Sequence, residues 1–322
     1  MMAHILGEEL QCQLGDYKSL TARLKALNYP PQAQQNSSLT LHLHYPAFRQ
    51  GEATIQDLIP SVSNFLINFC LPNSHLASLK ADLDNRKIDL NEYNMRFQDL
   101  LRKAKNLFIQ ANKATSRNGE CGELLLFILT EWVLEAPQIL AKMSLKTSAN
   151  MPVHGTDGVH CKYIEDRDIL CFYFGESKLY QDVKAALTAA LKSIAESLTP
   201  GKAQHELEIV SGNIKVSGLS EAAQKKLRAY LNPHDELSNN REIAITCLIG
   251  FDFSKYKNLD TAKAEQSFCQ EATAFLNNIT SDIQAKLQEK SITKPVEMFF
   301  LPLPSVEELR TCFQNEIGWR NS

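Results

Sequence analysis

Asp157, Glu176 and Lys178 have the types and spacing needed for chemistry on a phosphodiester. Gly155-Thr156-Asp157-Gly158 is followed, after a hydrophobic run, by Gly175-Glu176-Ser177-Lys178. An Asp at the mouth of one strand, with a Glu and a Lys two apart on the next, would set two carboxylates and an ammonium on one side of a sheet, because strand side chains alternate with period two. In-line cleavage of a phosphodiester needs a hard cation to polarise the phosphoryl oxygens and acidify a bound water. Mg2+ takes oxygens from one or two carboxylates plus substrate and water. Asp157 and Glu176 would supply them to Mg2+, with Mn2+ as the alternative ion, and the carbonyl of Ser177 is a further candidate ligand. Lys178 would orient or help deprotonate the attacking water and offset charge in the transition state.

Each of these residues also has a plainer reading. A lone Glu-x-Lys triplet is common by chance; its pairing with the upstream Gly-x-Asp-Gly gives it weight. Thr-Asp-Gly is a frequent tight turn, since Asp bonds its own backbone and Gly takes positive φ. Glu176 and Lys178 could form a surface pair of little energetic value, but the aromatic run before them argues against exposure. His154 and His160 bracket Asp157 and, with Cys161, raise zinc, yet the spacing fits no structural C-x2-C or H-x3-H site. His160 is expected either to touch substrate or to cap a strand. Tyr180 and Gln181 open the next helix, where they could contact the substrate or serve only the helix start. No Walker A sequence, Rossmann glycine fingerprint or Gly-x-Ser-x-Gly elbow is present, so ATP hydrolysis within the chain is not expected.

The positioning elements are read from periodicity. Helical spacing runs from Ala53 to Cys70 and from Leu90 to Ala114, and residues 120 to 135 form an apolar helix. Glu120, near a Gly, suits the helix dipole. Glu123 lies one turn further in, and burying an unpaired carboxylate is costly, so it is expected to face a cation or a basic partner. Strands follow at 139–145, 158–164 and 169–176, the last apolar on both faces as in a central strand. A helix at 179–197 is closed by Pro200-Gly201. Residues 202–241 read as a helical insertion, followed by a strand at 242–251, a helix at 261–290, a strand at 295–301 and a helix at 305–314. Helix, three strands, helix, strand is the order of a restriction-endonuclease-like core. The expected fold is thus α/β with a mixed central sheet flanked by helices over residues 116–322, plus a mainly helical N-terminal extension, residues 1–115, packing on it.

Composition bounds the rest. With 44% hydrophobic and 22% charged residues the chain is of ordinary globular type. No apolar run approaches the roughly 18 residues that span a bilayer, and the N-terminus lacks a basic stretch leading into an apolar one; a cytoplasmic protein with no membrane partner is expected. Eight scattered cysteines without a CxxC pair read as reduced thiols, with Cys161 and Cys171 able to face each other across a hairpin. The formal net charge is -3, whereas a self-sufficient DNA-binding domain is usually basic. Local basic clusters occur at Arg102, Lys103 and Lys105 through Lys113 and Arg117, and at Lys225, Lys226 and Arg228. Weak global attraction to phosphates suggests that a partner delivers the nucleic acid.

Gly122-Glu123-Leu124-Leu125, the Lys142–Lys146 segment, His154-Gly155-Thr156-Asp157-Gly158-Val159-His160 and Gly175-Glu176-Ser177-Lys178-Leu179-Tyr180 together resemble HamA, the nuclease-subunit family of the Hachiman anti-phage defence system. The likeness covers most of residues 50 to 200 and extends to Gln56-Asp57-Leu58 and Phe69-Cys70-Leu71-Pro72. It implies a PD-(D/E)xK deoxyribonuclease, an effector held in check by a separate HamB-like superfamily 2 helicase subunit that engages DNA. It also implies that Asp157 and Glu176 are metal ligands, Lys178 the catalytic lysine and Glu123 the helix-borne acid. The rival expectation is a non-catalytic regulatory or scaffold subunit with a nuclease-like fold, and RNA in place of DNA is a third.

Overall fold

The computed structural model describes residues 2–29, 38–115, 119–141, 143, 156–214, 218–257, 259 and 263–319. A seven-stranded sheet runs in the order β1-β2-β9-β8-β7-β6-β5. The strands are β1 (Leu24–Ala26), β2 (Leu39–Pro46), β5 (Gln138–Leu140), β6 (Gly158–Ile164), β7 (Ile169–Tyr180), β8 (Arg241–Asp252) and β9 (Val296–Leu303), while β3 (Phe48–Arg49) and β4 (Glu52–Ala53) form a separate ribbon. The sheet is mixed: β7, β8, β9 and β2 are parallel neighbours, and β5, β6 and β1 join antiparallel. This agrees with the expected α/β class.

The two faces of the sheet are covered by different helices. Leu170, Phe172 and Phe174 of β7, with Ile245 and Cys247 of β8, pack with helices Val183–Ser197 and Ala264–Glu289. Leu179, Leu248 and Phe299 pack on the other face with helices Ile55–Ser63, Glu120–Leu134 and Val306–Ile317. The burial of β7 and β8 on both sides explains their near-continuous apolar sequences.

Several expectations change. β2 lies inside the sheet between β1 and β9, so the N-terminal 115 residues are woven into the core as well as laid upon it. The alternating run Leu39-Thr40-Leu41-His42-Leu43 is the strand that does this. The single helix expected over 53–70 is two, Ile55–Ser63 and Leu66–Cys70. β7 runs through Tyr180 because β8 stays in parallel register with it to Phe251; the next helix therefore starts at Val183, capped by Asp182, whose side chain accepts from the Ala185 N–H at 2.7 Å. Pro200 opens helix Pro200–Asn213 instead of only ending its predecessor, since its missing N–H costs nothing in a first turn. The insertion also contains helix Glu221–Leu231. Of the strand expected over 139–145, Gln138–Leu140 is described; Lys142 and residues 144–155, including His154 and Gly155, lie outside the described residues, as do Arg117 and the side chains of Lys113 and Glu120.

Cys161 pairs with Phe172 and Cys171 with Lys162, so the two thiols project to opposite faces and do not oppose each other; the cysteines of the described residues are free. Among the described residues no helix is long and apolar enough to cross a membrane.

Candidate active site

Asp157 stands one residue before β6. Its backbone N–H donates to the Gly175 carbonyl at 2.8 Å, which continues the β6–β7 ladder by one step. Its carboxylate then turns onto β7, and Oδ2 accepts from the Ser177 N–H at 2.7 Å and the Ser177 hydroxyl at 2.9 Å. Beyond Asp157 this edge of β7 has no described strand beside it. A residue within a strand directs its N–H and C=O to the same neighbour, so the Ser177 carbonyl faces that edge as well, as the ligand reading of Ser177 requires.

Glu176 and Lys178 share the β7 face of Phe174, under helix Val183–Ser197. The Lys178 ammonium is ion-paired with Glu176 Oε1. Burial, and then the like charge of Asp157, push the Glu176 carboxyl up to about 7 against the pull of Lys178 and a hydrogen bond from Ser193. Burial works against the Lys178 ammonium, but Glu176 and Asp157 outweigh it and its pKa ends above the ordinary lysine value. Each shift reports the same fact: two carboxylates and one ammonium share a partly dry site.

Glu123 approaches from the opposite face. Helix Glu120–Leu134 runs close to β7 at Gly122, where a Cβ would lie 3.0 Å from Leu179 Cγ and 3.2 Å from the Ser177 hydroxyl. One residue on, Glu123 lines a small crevice with Asp157, Gly158, His160 and Gly175. The acids and the lysine thus surround the β7 edge from both sides instead of occupying one face, because Asp157 lies in the sheet plane and Glu123 comes from the helix layer.

The substrate candidates separate. Tyr180 is 41% exposed at the end of β7, and Gln181 beside it is exposed. His160 is only 2% exposed, its ring is tilted against Phe127 at 5.7 Å between centroids, and its Nδ1 bonds the Ala136 carbonyl at 2.8 Å. Burial lowers its pKa to about 4. It is a largely buried, neutral histidine in the wall of the crevice.

Sequence reasoning missed two neighbours. Arg310, from helix Val306–Ile317, donates to the Leu179 carbonyl at 2.6 Å, two residues past Ser177 on the same edge. Glu206, in the supposed connecting insertion, accepts from the Thr156 N–H at 3.0 Å. Neither sits in a motif, and each reaches the site across more than forty residues of sequence, so no local signal marks it. The basic clusters contribute elsewhere: Arg102 pairs with Asp99, Lys105 donates to the Glu316 carbonyl at 2.9 Å, and Lys226 lies over the Tyr230 ring.

Asp157, Glu176 and the Ser177 carbonyl form an oxygen-only donor set, suited to a hard divalent cation that keeps several waters. Among the described residues no three His, Cys, Asp or Glu side chains gather as a metal cluster, so a bound ion would take its remaining ligands from main chain, water and substrate. The zinc reading of His160 with Cys161 fails, since their side chains alternate to opposite faces of β6. The model of the HamA family matches residues 24–317. No curated protein matches the chain.

Proposed function

The chain belongs to the HamA family, and is thus a component of Hachiman anti-phage defence; from that premise we propose that it is the Mg2+-dependent deoxyribonuclease subunit of the complex, with a PD-(D/E)xK site in a restriction-endonuclease-like core. The observation that carries this reading is the convergence of Asp157, Glu176 and Lys178 at one strand edge. A pure scaffold has no use for a carboxylate whose pKa is raised by burial and by a second carboxylate beside it.

Asp157, Glu176 and the Ser177 carbonyl would hold the ion, with Mn2+ able to replace Mg2+. When bound there, the ion supplies Lewis-acid polarisation of a phosphoryl oxygen and a more acidic water. Lys178, paired with Glu176 in this structure, would present its N–H donors to the attacking water and to the negative charge that develops on the phosphoryl oxygens. Glu123 adds a carboxylate on the far side of Asp157, placed to orient water. Tyr180 and Gln181 line the exposed approach.

The net charge of -3 and the absence of ATPase motifs support a nuclease that receives DNA from a separate superfamily 2 helicase subunit. Plasmid degradation in Mg2+, with and without that helicase, tests the reading by comparing wild type with Glu176→Ala and Lys178→Ala. Loss of cleavage in both variants is expected; cleavage equal to wild type would remove the assignment.

A further inference from the structure

Glu206 is 2% exposed on helix Pro200–Asn213. Its neighbours Leu207, Ile209 and Val210 already bury this helix, so packing alone does not call for an acid there, and a buried carboxylate is costly unless it is hydrogen-bonded. One bond is to the backbone N–H of Thr156, 3.0 Å from Oε1. Thr156 stands two residues before β6, directly ahead of Asp157, and Glu206 holds its amide. The Thr156 hydroxyl folds back on the Gly158 carbonyl at 3.3 Å, and the Asp157 N–H holds Gly175. Asp157 is thereby fixed on both sides, by β7 after it and by Glu206 before it.

We propose that Glu206 is a positioning residue for Asp157: its buried carboxylate grips the Thr156 amide and so aims the adjacent Asp157 side chain at Ser177 and the metal position. The proposal rests on the reading of Asp157 as a metal ligand. It gives the insertion a task, since undocking helix Pro200–Asn213 would release Thr156 and with it the backbone next to Asp157. The N-terminal helix Met2–Gln11 holds the same layer, through Glu9, which accepts from the Ser220 N–H at 2.8 Å at the start of helix Glu221–Leu231.

The test uses the full chain with Glu206→Met, which fills the volume without an acceptor, Glu206→Ala, and Glu206→Gln, which keeps one. In metal-free protein, amide hydrogen exchange at Asp157 and Ser177 is expected to rise about tenfold or more in the Met and Ala variants and to stay at the wild-type rate in Gln. Mn2+ affinity, read by electron paramagnetic resonance, should fall about tenfold in step, as for other residues that orient ligands. Wild-type exchange at both amides in whichever of Met or Ala folds, even with a lowered Tm, would overturn the role of Glu206. Equal Mn2+ binding by wild type and Asp157→Asn would instead overturn the metal reading itself.

Discussion

Asp157 and Ser177 are joined twice through one oxygen: Oδ2 accepts both the backbone N–H and the hydroxyl of Ser177, at 2.7 and 2.9 Å. The geometry of the acid is therefore set by β7 as much as by its own backbone. Asp157→Asn can keep these bonds through its amide oxygen while losing the charge. Melting within a few degrees of wild type is expected, with Mg2+-dependent cleavage reduced by more than about 100-fold. Ser177→Ala keeps the charge and one bond, and should cost about 1 kcal/mol of stability with cleavage largely retained. Urea denaturation and cleavage assays of the two variants check the contrast, and the reverse pattern would refute it.

Lys178 is the cation paired with Glu176. Lys178→Met removes it and leaves Glu176 buried beside Asp157. Cleavage is expected to fall about 10²- to 10³-fold, the range for loss of a donor to transition-state charge, and Lys178→Arg should restore little because a planar guanidinium does not replace a compact ammonium. Single-turnover rates at saturating Mg2+ measure this; unimpaired rates in the Met variant would exclude Lys178 from the chemistry.

A pH dependence of stability follows from Glu131, on the site helix Glu120–Leu134. Burial raises its pKa to about 7 although Gln138 N–H, Tyr17 hydroxyl and Gly15 N–H all donate to it, at 2.9, 2.5 and 3.3 Å. The folded chain thus binds a proton that the unfolded chain releases near pH 4.5, so this contribution is present below that value and is lost as pH rises to about 7. His44 and His160, lowered by burial to about 3 and about 4, act oppositely below pH 6.5. The stability of wild type minus that of Glu131→Gln should therefore fall by about 3 kcal/mol between pH 4.5 and 8; a flat difference would show that Glu131 is not raised.

Arg310 holds the end of the site strand through the Leu179 carbonyl. Arg310→Ala should cost about 1.5 to 3 kcal/mol, the range for a charged hydrogen bond, and weaken cleavage in parallel. Denaturant melts with matched cleavage assays decide it, and unchanged stability would show that the strand end needs no such anchor.

The legible part of the molecule is the part encoded by local pattern. β6 over 158–164 and helix 120–134 follow directly from periodicity and turn residues, as does the order of elements around the motif. The Glu176–Lys178 pair follows from the two-residue repeat. What escaped depends on distant partners: the length of β7 is set by β8, the burial of His160 by Phe127 and Ala136, and the roles of Glu206 and Arg310 by packing of helices with no motif of their own. The expectation that all charges would share one face failed because a residue just outside a strand is freed from its alternation, and Asp157 uses that freedom to reach along the edge.

The parallel pairing of β9 with both β2 and β8 has a consequence for synthesis. Val296–Leu303 leaves the ribosome long after Leu39–Pro46 and after β8, and until it docks, Leu39–Pro46 has no parallel neighbour and β8 lacks one flank. Such distant pairings close slowly. A cell translating this protein would therefore carry growing chains whose central layer is still split, and the edge that carries Asp157 and Ser177 would gain its full support only once β9 has been made.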